Sequence, residues 1–512
     1  MSNSPKTLKI SARSSHLAKL QAFMVGDALK EKYPDLQIKF EFRESLGDKN
    51  LTDPLWKMPE KGVFTEDFYQ DLVLNKTDMI VHSWKDLPVE GKPDTLIAAT
   101  LPRADQRDIL IFKKDRLHKT HINLFTSSPR REHNLKNFLT LALPYKKEKV
   151  SFSNVRGNVP TRLRKLMATN DVDGMIMAKA AVDRFLTAKW PEIVEVQPEI
   201  KKIFQENFWM ALPLSINPNA AAQGALAVEI KSEREDLKEL LTSIHCQKTY
   251  DSAQFERKTL KSYGGGCHQK IGVAHLQREY GEIFFLQGLT DQGVVLNAKE
   301  LKTPFRPKVN NLKKWSSTSL NSYVTTRNLK FEIENKQQAF FVSKATAWKE
   351  DLQKVVLESY ETPEKKCYVW TAGLETWKKL AAQGIWVNGS SEGLGVAEDK
   401  RIDWLLDSLE WTQVTHKEAY RSAKSEESFQ KQIHTYELEI NTECLEKIKN
   451  EILSADVLFW TSGVHFDFVN RFFPEIQNKQ HACGVGHTAH FLKEKYNIYP
   501  YLYLNEQEFL NE

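Results

Sequence analysis

The first part of the chain restricts the possible folds most strongly. Residues 8–10 alternate apolar and polar side chains, as a strand does, and Ser15 then precedes apolar residues at helical spacing. Residues 38–42 alternate again. A strand, a helix and a second strand in this order form a βαβ unit, which requires a parallel sheet covered by helices. The sequence therefore predicts an α/β protein.

The composition limits the number of domains and the kinds of partner. A chain of 512 residues is too long for one core, so we expect several domains. Its 72 basic and 67 acidic residues are interspersed, which argues against a nucleic-acid partner. The start has no apolar core of a signal peptide, and no apolar run is long enough to span a bilayer. We predict a cytoplasmic protein without a membrane partner.

Cys267 is the most distinctive of the five cysteines. The five are dispersed and lack C-x-x-C spacing, so we predict neither disulfides nor a metal site. Three glycines, 264–266, precede Cys267 and favour a loop that presents its thiol. A thiolate is a strong nucleophile, and an electrophilic carbon would leave it as a stable thioether. The alternative is a small buried cysteine beside a tight turn, which the spacing alone favours.

A second candidate site follows the apolar residues 79–81. Ser83, Lys85 and Asp86 come directly after this predicted strand. Ligands of open parallel sheets bind beyond the carboxyl ends of the strands, where these side chains should lie. The alternative is a surface turn that Pro88 ends.

A faint internal echo indicates two similar lobes. Residues 75–81 recur in outline as 170–177, each a polar turn that leads into a buried strand. Two such α/β lobes with a cleft between them would be similar to periplasmic binding proteins, which close around a ligand.

Two basic motifs, 126–131 and 155–162, indicate an anionic ligand. Each combines arginines with hydroxyl or glycine residues before a predicted helix. Arginine pairs with carboxylates through two parallel hydrogen bonds, and helix starts complete anion sites. The alternative for any single arginine is a solvated basic surface.

These stretches together resemble the porphobilinogen deaminase (hydroxymethylbilane synthase) family over residues 6–295. The matching stretches are 13–18, 47–48, 61–64, 81–88, 126–131, 156–159, 223–225 and 264–267. The resemblance implies two lobes like those of periplasmic binding proteins and a small α+β domain that carries the cysteine. The implied divisions are 1–105 with 205–232 for domain 1, 106–204 for domain 2, and 233–300 for domain 3.

The same resemblance implies the chemistry. Cys267 would hold a dipyrromethane cofactor through a thioether, and four porphobilinogens would be joined to it to give hydroxymethylbilane. Asp86 would be the catalytic carboxylate, and the protein would act as a monomer. The implied cofactor- and substrate-binding residues are Arg13, Ser15, Lys61, Phe64, Ser83, Lys85, Thr126, Ser128, Arg130, Arg131, Arg156, Asn158, Arg162 and Arg184.

Three positions depart from the family pattern. Leu46 stands where an arginine is usual, Pro129 replaces an aliphatic residue, and Ala222 replaces a glycine. They concern details of substrate contact and leave Asp86 and Cys267 in place.

The second half resembles uroporphyrinogen-III synthase, mainly over residues 366–504. The matching stretches are 419–421, 459–462 and 486–489. The resemblance implies a separate α/β domain, 336–512, after a polar linker, 301–335, and it implies closure of the linear tetrapyrrole to uroporphyrinogen III. Tyr420, Thr461, Ser462 and Thr488 are its candidate site residues, and the alternative is that they are an ordinary tyrosine and helix caps.

Two rival functions remain open at the level of the sequence. The second half could be a degenerate docking module without activity. The whole chain could instead be a non-catalytic, two-lobed anion-binding protein, which would need the arginines but neither Asp86 nor Cys267.

Overall fold

The computed structural model describes residues 7–44, 66–264, 269–303, 312–334, 338–362, 365–395, 398–406 and 410–512. Leu46, Lys61, Phe64 and Cys267 lie outside the described residues. The chain forms two compact units. The first comprises Met1–Leu139, Glu148–Gln277 and Phe284–Ala298, and the second comprises Thr140–Lys147, Arg278–Ile283 and Lys299–Glu512.

Strands and helices alternate through the first part of the chain. Its strands are β1 Thr7–Arg13, β2 Gln37–Arg43, β3 Met79–Ser83, β4 Thr95–Ala99, β5 Asp108–Phe112, β6 His121–Phe125, β7 Lys149–Ser153, β8 Gly174–Ala178, β9 Phe208–Ala211, β10 Leu226–Lys231, β11 Gly272–Arg278, β12 Gly281–Leu289 and β13 Val295–Lys302. Its helices are α1 His16–Lys32, α2 Glu66–Val73, α3 Pro129–Ala142, α4 Val159–Ala168, α5 Lys179–Thr187, α6 Pro191–Val194, α7 Gln197–Glu206, α8 Glu235–Thr242 and α9 Gln247–Lys261.

The alternation continues beyond residue 303. The strands there are β14 Lys314–Ser316, β15 Val324–Asn328, β16 Gln338–Val342, β17 Cys367–Thr371, β18 Gly389–Ser390, β19 Trp411–His416, β20 Lys431–Ile440, β21 Val457–Trp460, β22 Gln480–Gly484 and β23 Tyr501–Tyr503. The helices are α10 Glu350–Glu361, α11 Leu374–Ala382, α12 Ala423–Ser428, α13 Cys444–Ser454, α14 Gly463–Phe472, α15 His487–Tyr496 and α16 Glu506–Asn511.

Two five-stranded sheets of the first unit have the same strand order. The first is β2-β1-β3-β10-β4, and the second is β7-β6-β8-β5-β9. In each, the first three strands are parallel and the fourth is antiparallel to both of its neighbours. The two strands of the internal echo, β3 and β8, take the third place in their sheets. The predicted α/β class is confirmed.

The apolar periodicity explains why these sheets form. Leu8 and Ile10 of β1, Val81 of β3 and Val228 of β10 are almost fully buried in one core, together with Leu29 of α1. Burial of such side chains drives folding in proportion to the apolar area that leaves water.

One predicted domain boundary differs from the structure. β9 belongs to the second sheet, where it pairs with β5, although the sequence prediction placed 205–232 in domain 1. All four residues of β9 are buried, and a short apolar run does not reveal which sheet receives it. β10, by contrast, joins the first sheet as the sequence indicates.

The second unit contains two further sheets. One is β14-β21-β22-β23, with all strands parallel. The other is β15-β20-β19-β16-β17-β18, which is parallel except for the pair β15 and β20. A separate three-stranded sheet has the order β11-β12-β13.

The prediction of a linker over 301–335 is wrong for much of that segment. β14 pairs with β21, and β15 pairs with β20, so the segment contributes a strand to each sheet of the second unit. Trp315 is 6% exposed and packs edge to face on Trp460, with ring centroids 5.5 Å apart. β14 is short and β15 is mostly exposed, so neither produces the alternation of a half-buried strand.

Candidate active site

The turn that follows β3 presents Asp86. Trp84 is 1% exposed and packs with Ala222 in a small apolar cluster. Arg257 Nη1 donates hydrogen bonds to the carbonyl oxygens of Trp84, at 3.2 Å, and of Leu87, at 3.1 Å. The turn is therefore fixed from inside, whereas the Asp86 side chain is exposed.

Asp86 shares a pocket with residues from two strand ends. Arg13 is the last residue of β1, and Ser83 is the last residue of β3. Ser15, which caps α1, also lines the pocket. Gln21 Nε2 donates to Ser83 Oγ at 2.8 Å. The structure thus brings four of the predicted site residues together where open parallel sheets bind ligands.

Lys85 connects this turn to a buried polar network. Its Nζ donates to Gln223 Oε1 at 3.3 Å, and Gln223 Nε2 donates to Asp108 Oδ1 at 2.9 Å. Burial lowers the pKa of Lys85, and the neighbouring carboxylate of Asp86 opposes that shift. Gln223 therefore bridges Lys85, in the turn after β3, and Asp108, the first residue of β5.

Asp108 is the buried partner of the predicted arginine pair. Arg130 Nη2 lies 2.8 Å from Asp108 Oδ2, Arg131 Nη2 lies 2.7 Å from Oδ1, and Asn217 Nδ2 donates to Oδ2 at 2.8 Å. Burial alone would raise the pKa of Asp108, but the guanidiniums of Arg131 and Arg130 hold it well below its usual range. Both arginines are thus fixed by a carboxylate of the chain itself.

Arg162 and Arg156 lie in the same electrostatic environment. Arg162 Nε donates to the carbonyl oxygen of Gly157 at 2.6 Å. Burial lowers the pKa of Arg162, and so do the charges of Arg131 and Arg156, whereas Asp86 opposes the shift. Positive charges therefore outnumber carboxylates around Asp86.

Arg184 is a buried cation. Its Nη2 donates to the carbonyl oxygen of Gly224 at 2.7 Å, and burial lowers its pKa to about 10. Arg184 Nε and Arg156 Nη2 are buried and have no hydrogen-bond partner within the described ranges. A buried N–H group without a partner is costly, so both are candidates for a bound anion.

Two predicted site residues, Thr126 and Asn158, also hold the local backbone. Thr126 is fully buried, and its Oγ1 accepts a hydrogen bond from the backbone N–H of Ser128 at 3.3 Å. Asn158 caps α4, since its Oδ1 accepts from the N–H of Thr161 at 3.0 Å. The structure shows turn and capping contacts for these residues, and their contact with a ligand stays a prediction.

The segment that contains Cys267 lies between α9 and β11. On one side of it Gly264 has φ of +100°, a conformation that favours glycine. On the other side Gln269 Nε2 donates to the carbonyl oxygen of Tyr263 at 2.5 Å. The hydrogen bond between Gln269 and Tyr263 thus joins the described residues that flank 265–268.

Glu256 of α9 is a central residue that the sequence analysis missed. It is fully buried and pairs with Arg103, with Oε2 2.7 Å from Nη2. It also accepts hydrogen bonds from Asn219 Nδ2, at 3.0 Å, and from the backbone N–H groups of Ala222, at 2.8 Å, and His275, at 3.0 Å. A glutamate on a helix gives no sign of burial when its partners are distant in sequence.

In the second unit, the predicted tyrosine lies beside α15. Tyr420 Oη donates to Glu494 Oε2 at 3.2 Å, and its ring packs edge to face on Phe491 at 5.2 Å. Thr488 lies in the first turn of α15 and is half-buried.

The two hydroxyl residues after β21 have different contacts. Ser462 caps α14, because its Oγ accepts from the N–H of Val464 at 3.2 Å. Thr461 Oγ1 lies 3.0 Å from Ser317 Oγ and 3.3 Å from His465 Nδ1. Ser462 is thus the ordinary cap that the sequence allowed, and Thr461 belongs to a polar cluster.

Metal-binding clusters and membrane-spanning helices are both absent from the described residues. These residues contain no group of three or more His, Cys, Asp or Glu side chains placed to hold a metal ion. None of their helices combines the length and the apolar character that a bilayer-spanning helix needs.

The fold and the site define an α/β protein with two sheets of matching topology and a cationic site around an exposed aspartate. Residues 8–239 match the family model described as porphobilinogen deaminase, dipyrromethane cofactor binding domain. The porphobilinogen deaminase of Syntrophomonas wolfei is 34% identical over 288 residues, which are 56% of this chain and 85% of that protein. The chain therefore belongs to the porphobilinogen deaminase family and carries its dipyrromethane cofactor binding domain.

Other comparisons agree on the part of the chain that is matched. The porphobilinogen deaminase of Clostridium novyi is 31% identical over 293 residues, which are 56% of this chain and 90% of that protein. Among solved structures, YhfZ from Shigella flexneri is 12% identical, with a TM-score of 0.24, over 50% of this chain and 92% of that chain. A score this low supports no conclusion.

Proposed function

We propose that the first half of the chain is a hydroxymethylbilane synthase that joins four porphobilinogens, with Asp86 as its catalytic carboxylate. The observation that carries this proposal is the exposed Asp86 carboxylate, which lies on a turn that Arg257 fixes, shares a pocket with Arg13, and acts electrostatically on Lys85 and Arg162. A non-catalytic anion-binding protein would have no need of a carboxylate among those cations.

The described residues fit a dipyrromethane group. Two pyrroles carry four carboxylates, and the site offers an excess of cations together with the unpartnered buried N–H groups of Arg156 and Arg184. We assign the thioether to Cys267, which lies between α9 and β11. When bound, the group supplies the pyrrole carbon to which each new unit is joined.

The residues of the chain then have distinct tasks. Asp86 stabilises positive charge at the pyrrole nitrogen of the incoming unit and holds the proton that moves when a carbon–carbon bond forms. Lys85, Arg13 and the arginines of α3 and α4 bind and orient acetate and propionate groups. Gln223 and Asp108 keep Lys85, Arg130 and Arg131 in place.

We propose a three-domain division of this half, with one change from the sequence prediction. Domain 1 comprises 1–105 and the return segment with β10, domain 2 comprises 106–204 together with β9, and domain 3 comprises 233–300. The two five-stranded sheets of matching order support the two-lobe arrangement. A cytoplasmic monomer whose first half takes porphobilinogen as its substrate belongs to the same proposal.

We further propose that the second half closes the linear tetrapyrrole to uroporphyrinogen III. Its support is the resemblance of 366–504 to uroporphyrinogen-III synthase. Thr461 directly follows β21, Thr488 lies in the first turn of α15, and Tyr420, in the loop between β19 and α12, packs beside that helix. Fusion of the two activities would limit escape of an unstable intermediate.

Replacement of Asp86 tests the first proposal. We expect Asp86→Asn to lower porphobilinogen turnover by at least about 100-fold, because a positioned acid–base group contributes roughly 10²–10⁴-fold. The exposed Asp171 gives a matched control, and Asp171→Asn should leave turnover unchanged. Turnover by Asp86→Asn at the parental rate would reject the assigned role.

Two measurements test the remaining assignments. Peptide mass mapping should find on Cys267 the mass of two porphobilinogens less their ammonia, and an unmodified cysteine would reject the thioether. Analysis of the product from the parental chain should give the type III isomer. Type I alone would mean spontaneous closure and would reject the cyclising role.

A further inference from the structure

The second unit brings polar residues together at the carboxyl ends of strands from both of its sheets. Lys344 follows β16, and His416 ends β19, its parallel neighbour. In the other sheet Ser317, Thr461 and His487 follow β14, β21 and β22, which are adjacent and parallel. With His465 of α14 these residues form the strand-end cluster. Carboxyl ends of parallel strands are where such sheets bind ligands.

Hydrogen bonds organise one side of the cluster. The backbone N–H of Thr461 donates to Ser317 Oγ at 2.9 Å, and His465 Nδ1 lies 3.3 Å from the same oxygen. Ser317 is fully buried and His465 is 5% exposed, so this side is a fixed wall. Its hydroxyl and imidazole groups can donate or accept hydrogen bonds.

The ring of Tyr420, which follows β19, lies beside that of His487, which follows β22, so residues of the two sheets face each other, and the charge effects agree with this placement. Burial, followed by the ammonium group of Lys344, lowers the pKa of both His416 and His465 to about 4. His487 also lowers the pKa of His416. The three histidines belong to different elements: His487 acts on His416, and His416 acts on His465.

Lys344 is the charge that this environment leaves without a partner. It makes no ion pair within the described part of the chain, and its side chain is exposed. The surrounding protein lowers its pKa by desolvation. Glu418 is a nearby carboxylate, with Oε2 3.4 Å from His416 Nδ1, and this oxygen accepts a hydrogen bond from the backbone N–H of Leu438 at 3.1 Å. An ammonium group that a ligand can reach, with hydroxyl and imidazole groups nearby, suits an anionic ligand.

His487 adds a second unsatisfied group. Its Nδ1 is buried and has no hydrogen-bond partner among the described residues. The ring lies beside Tyr420, with centroids 6.2 Å apart. Gly486, which precedes it, approaches Gly393 and Gly395 of the other half of the unit. Small residues thus bring the two sheets close at this point.

We propose that the strand-end cluster binds a carboxylate group of a linear polypyrrole, with Lys344 as the ion-pair partner and the histidines and hydroxyls as hydrogen-bonding groups. The inference rests on the proposed function, because the ligand class is the product of the first half. It adds Lys344, His416, His465 and His487 to the site of the second unit.

Binding of a porphyrin carboxylate tests the cluster directly. The probe is uroporphyrin I, which has eight carboxylates, and its fluorescence is titrated with the full chain. We expect Lys344→Met to weaken the second-unit component of binding by about tenfold or more, since a hydrogen bond to a charged group contributes roughly 1.5–3 kcal/mol. Lys344→Arg should retain binding, and uroporphyrin I octamethyl ester, which has no charge, should not bind at this site.

Lys354 provides the matched control, because it is an exposed lysine of α10 in the same unit. Lys354→Met should bind the probe as the parent does. Equal affinities for the parent and Lys344→Met would overturn the inference. Weaker binding by Lys344→Met in a chain that makes only the type I isomer would keep the site and reject the cyclising function. Porphobilinogen consumption, which belongs to the first half, should be the same in all variants.

Discussion

Two aspartates of the first unit differ in their surroundings, and this difference separates a residue that a substrate can reach from one that holds the fold together. Asp86 is exposed on a turn that buried contacts hold still, so it is available to a substrate. Asp108 is 1% exposed and has its oxygens bonded to Arg130, Arg131 and Asn217. The motif around residue 86 is readable in the sequence. Asp108 is not, because its partners lie far along the chain and only folding brings them together.

Loss of the Asp108 charge should be costly. Asp108→Asn would leave two buried guanidiniums without a carboxylate, and the removal of one partner from a buried ion pair costs about 3–5 kcal/mol. We expect the free energy of unfolding of the first unit, measured by urea titration, to fall by that amount. The exposed Asp115, paired only with Arg116 at the surface, gives the control, and Asp115→Asn should change the same free energy by less than about 0.5 kcal/mol.

The same aspartate predicts a pH dependence. Its folded pKa is held below the unfolded value of about 4, so its contribution to stability is present above that value and is lost as the pH falls. The parental first unit should therefore lose stability below about pH 4, and Asp108→Asn should lose less over that range. Parallel pH profiles for the two proteins would contradict this account.

At the scale of elements, the start of β11 packs closely against the backbone at Pro218, in the segment between β9 and β10. A Cβ added at Gly272, the first residue of β11, would overlap the carbonyl oxygen of Pro218 and crowd Arg130 Cδ at 3.1 Å. Arg130 Nη1 donates to that same carbonyl at 2.6 Å. The strand after the cysteine-bearing segment is thus packed against the contacts that fix the arginine pair.

A single methyl group at Gly272 should disturb this packing. We expect Gly272→Ala to lower the free energy of unfolding by about 1–3 kcal/mol, the usual cost of overpacking, and to reduce dipyrromethane loading measured by intact mass. Gly91→Ala is the control, because an added Cβ there meets no atom within 4 Å. If Gly272→Ala has the stability and loading of Gly91→Ala, β11 does not depend on the close approach.

The elements also show where sequence patterns stop being informative. β1, β3 and β8 have clear patterns, and the helix starts at Ser15, Ser462 and Gly486 are where capping residues indicate. β14 and β15 were missed because they are edge strands with few buried residues, and edge positions are specified by their partners more than by their own sequence. The placement of β9 required the same tertiary information.

At the scale of the whole molecule, the two units should respond differently to acid. Burial lowers the pKa of His416, His465 and His481 in the second unit to about 4. The unfolded chain has histidine pKa values of about 6.5, so it binds more protons than the folded unit between these values. The stability of the second unit should therefore fall as the pH drops from about 6.5 towards 4.

Unfolding measured at several pH values checks this difference. We expect one transition to move to lower urea concentration between about pH 6.5 and pH 4.5, and hydrogen exchange with mass spectrometry should assign it to the second unit. The first unit should lose less stability over that interval, because its acids Asp105 and Asp108 titrate below their usual range, and because burial lowers the pKa of His133 and raises that of Glu132, with opposite effects on stability. An equal loss in both units would contradict the assignment.

The strands missed in the segment 301–335 also bear on how the chain folds during synthesis. β10 completes the first sheet at residue 231, after β9 has completed the second, whereas β14 pairs with β21, which begins only at Val457. At about 5–20 residues per second, the ribosome needs roughly 10–45 seconds to cover that interval. The first half can therefore gain its shape and its substrate site on the ribosome while residues 314–328 remain unpaired. Translation that stops before residue 457 would leave a chain that contains every strand of the two five-stranded sheets and lacks β21, the partner of β14.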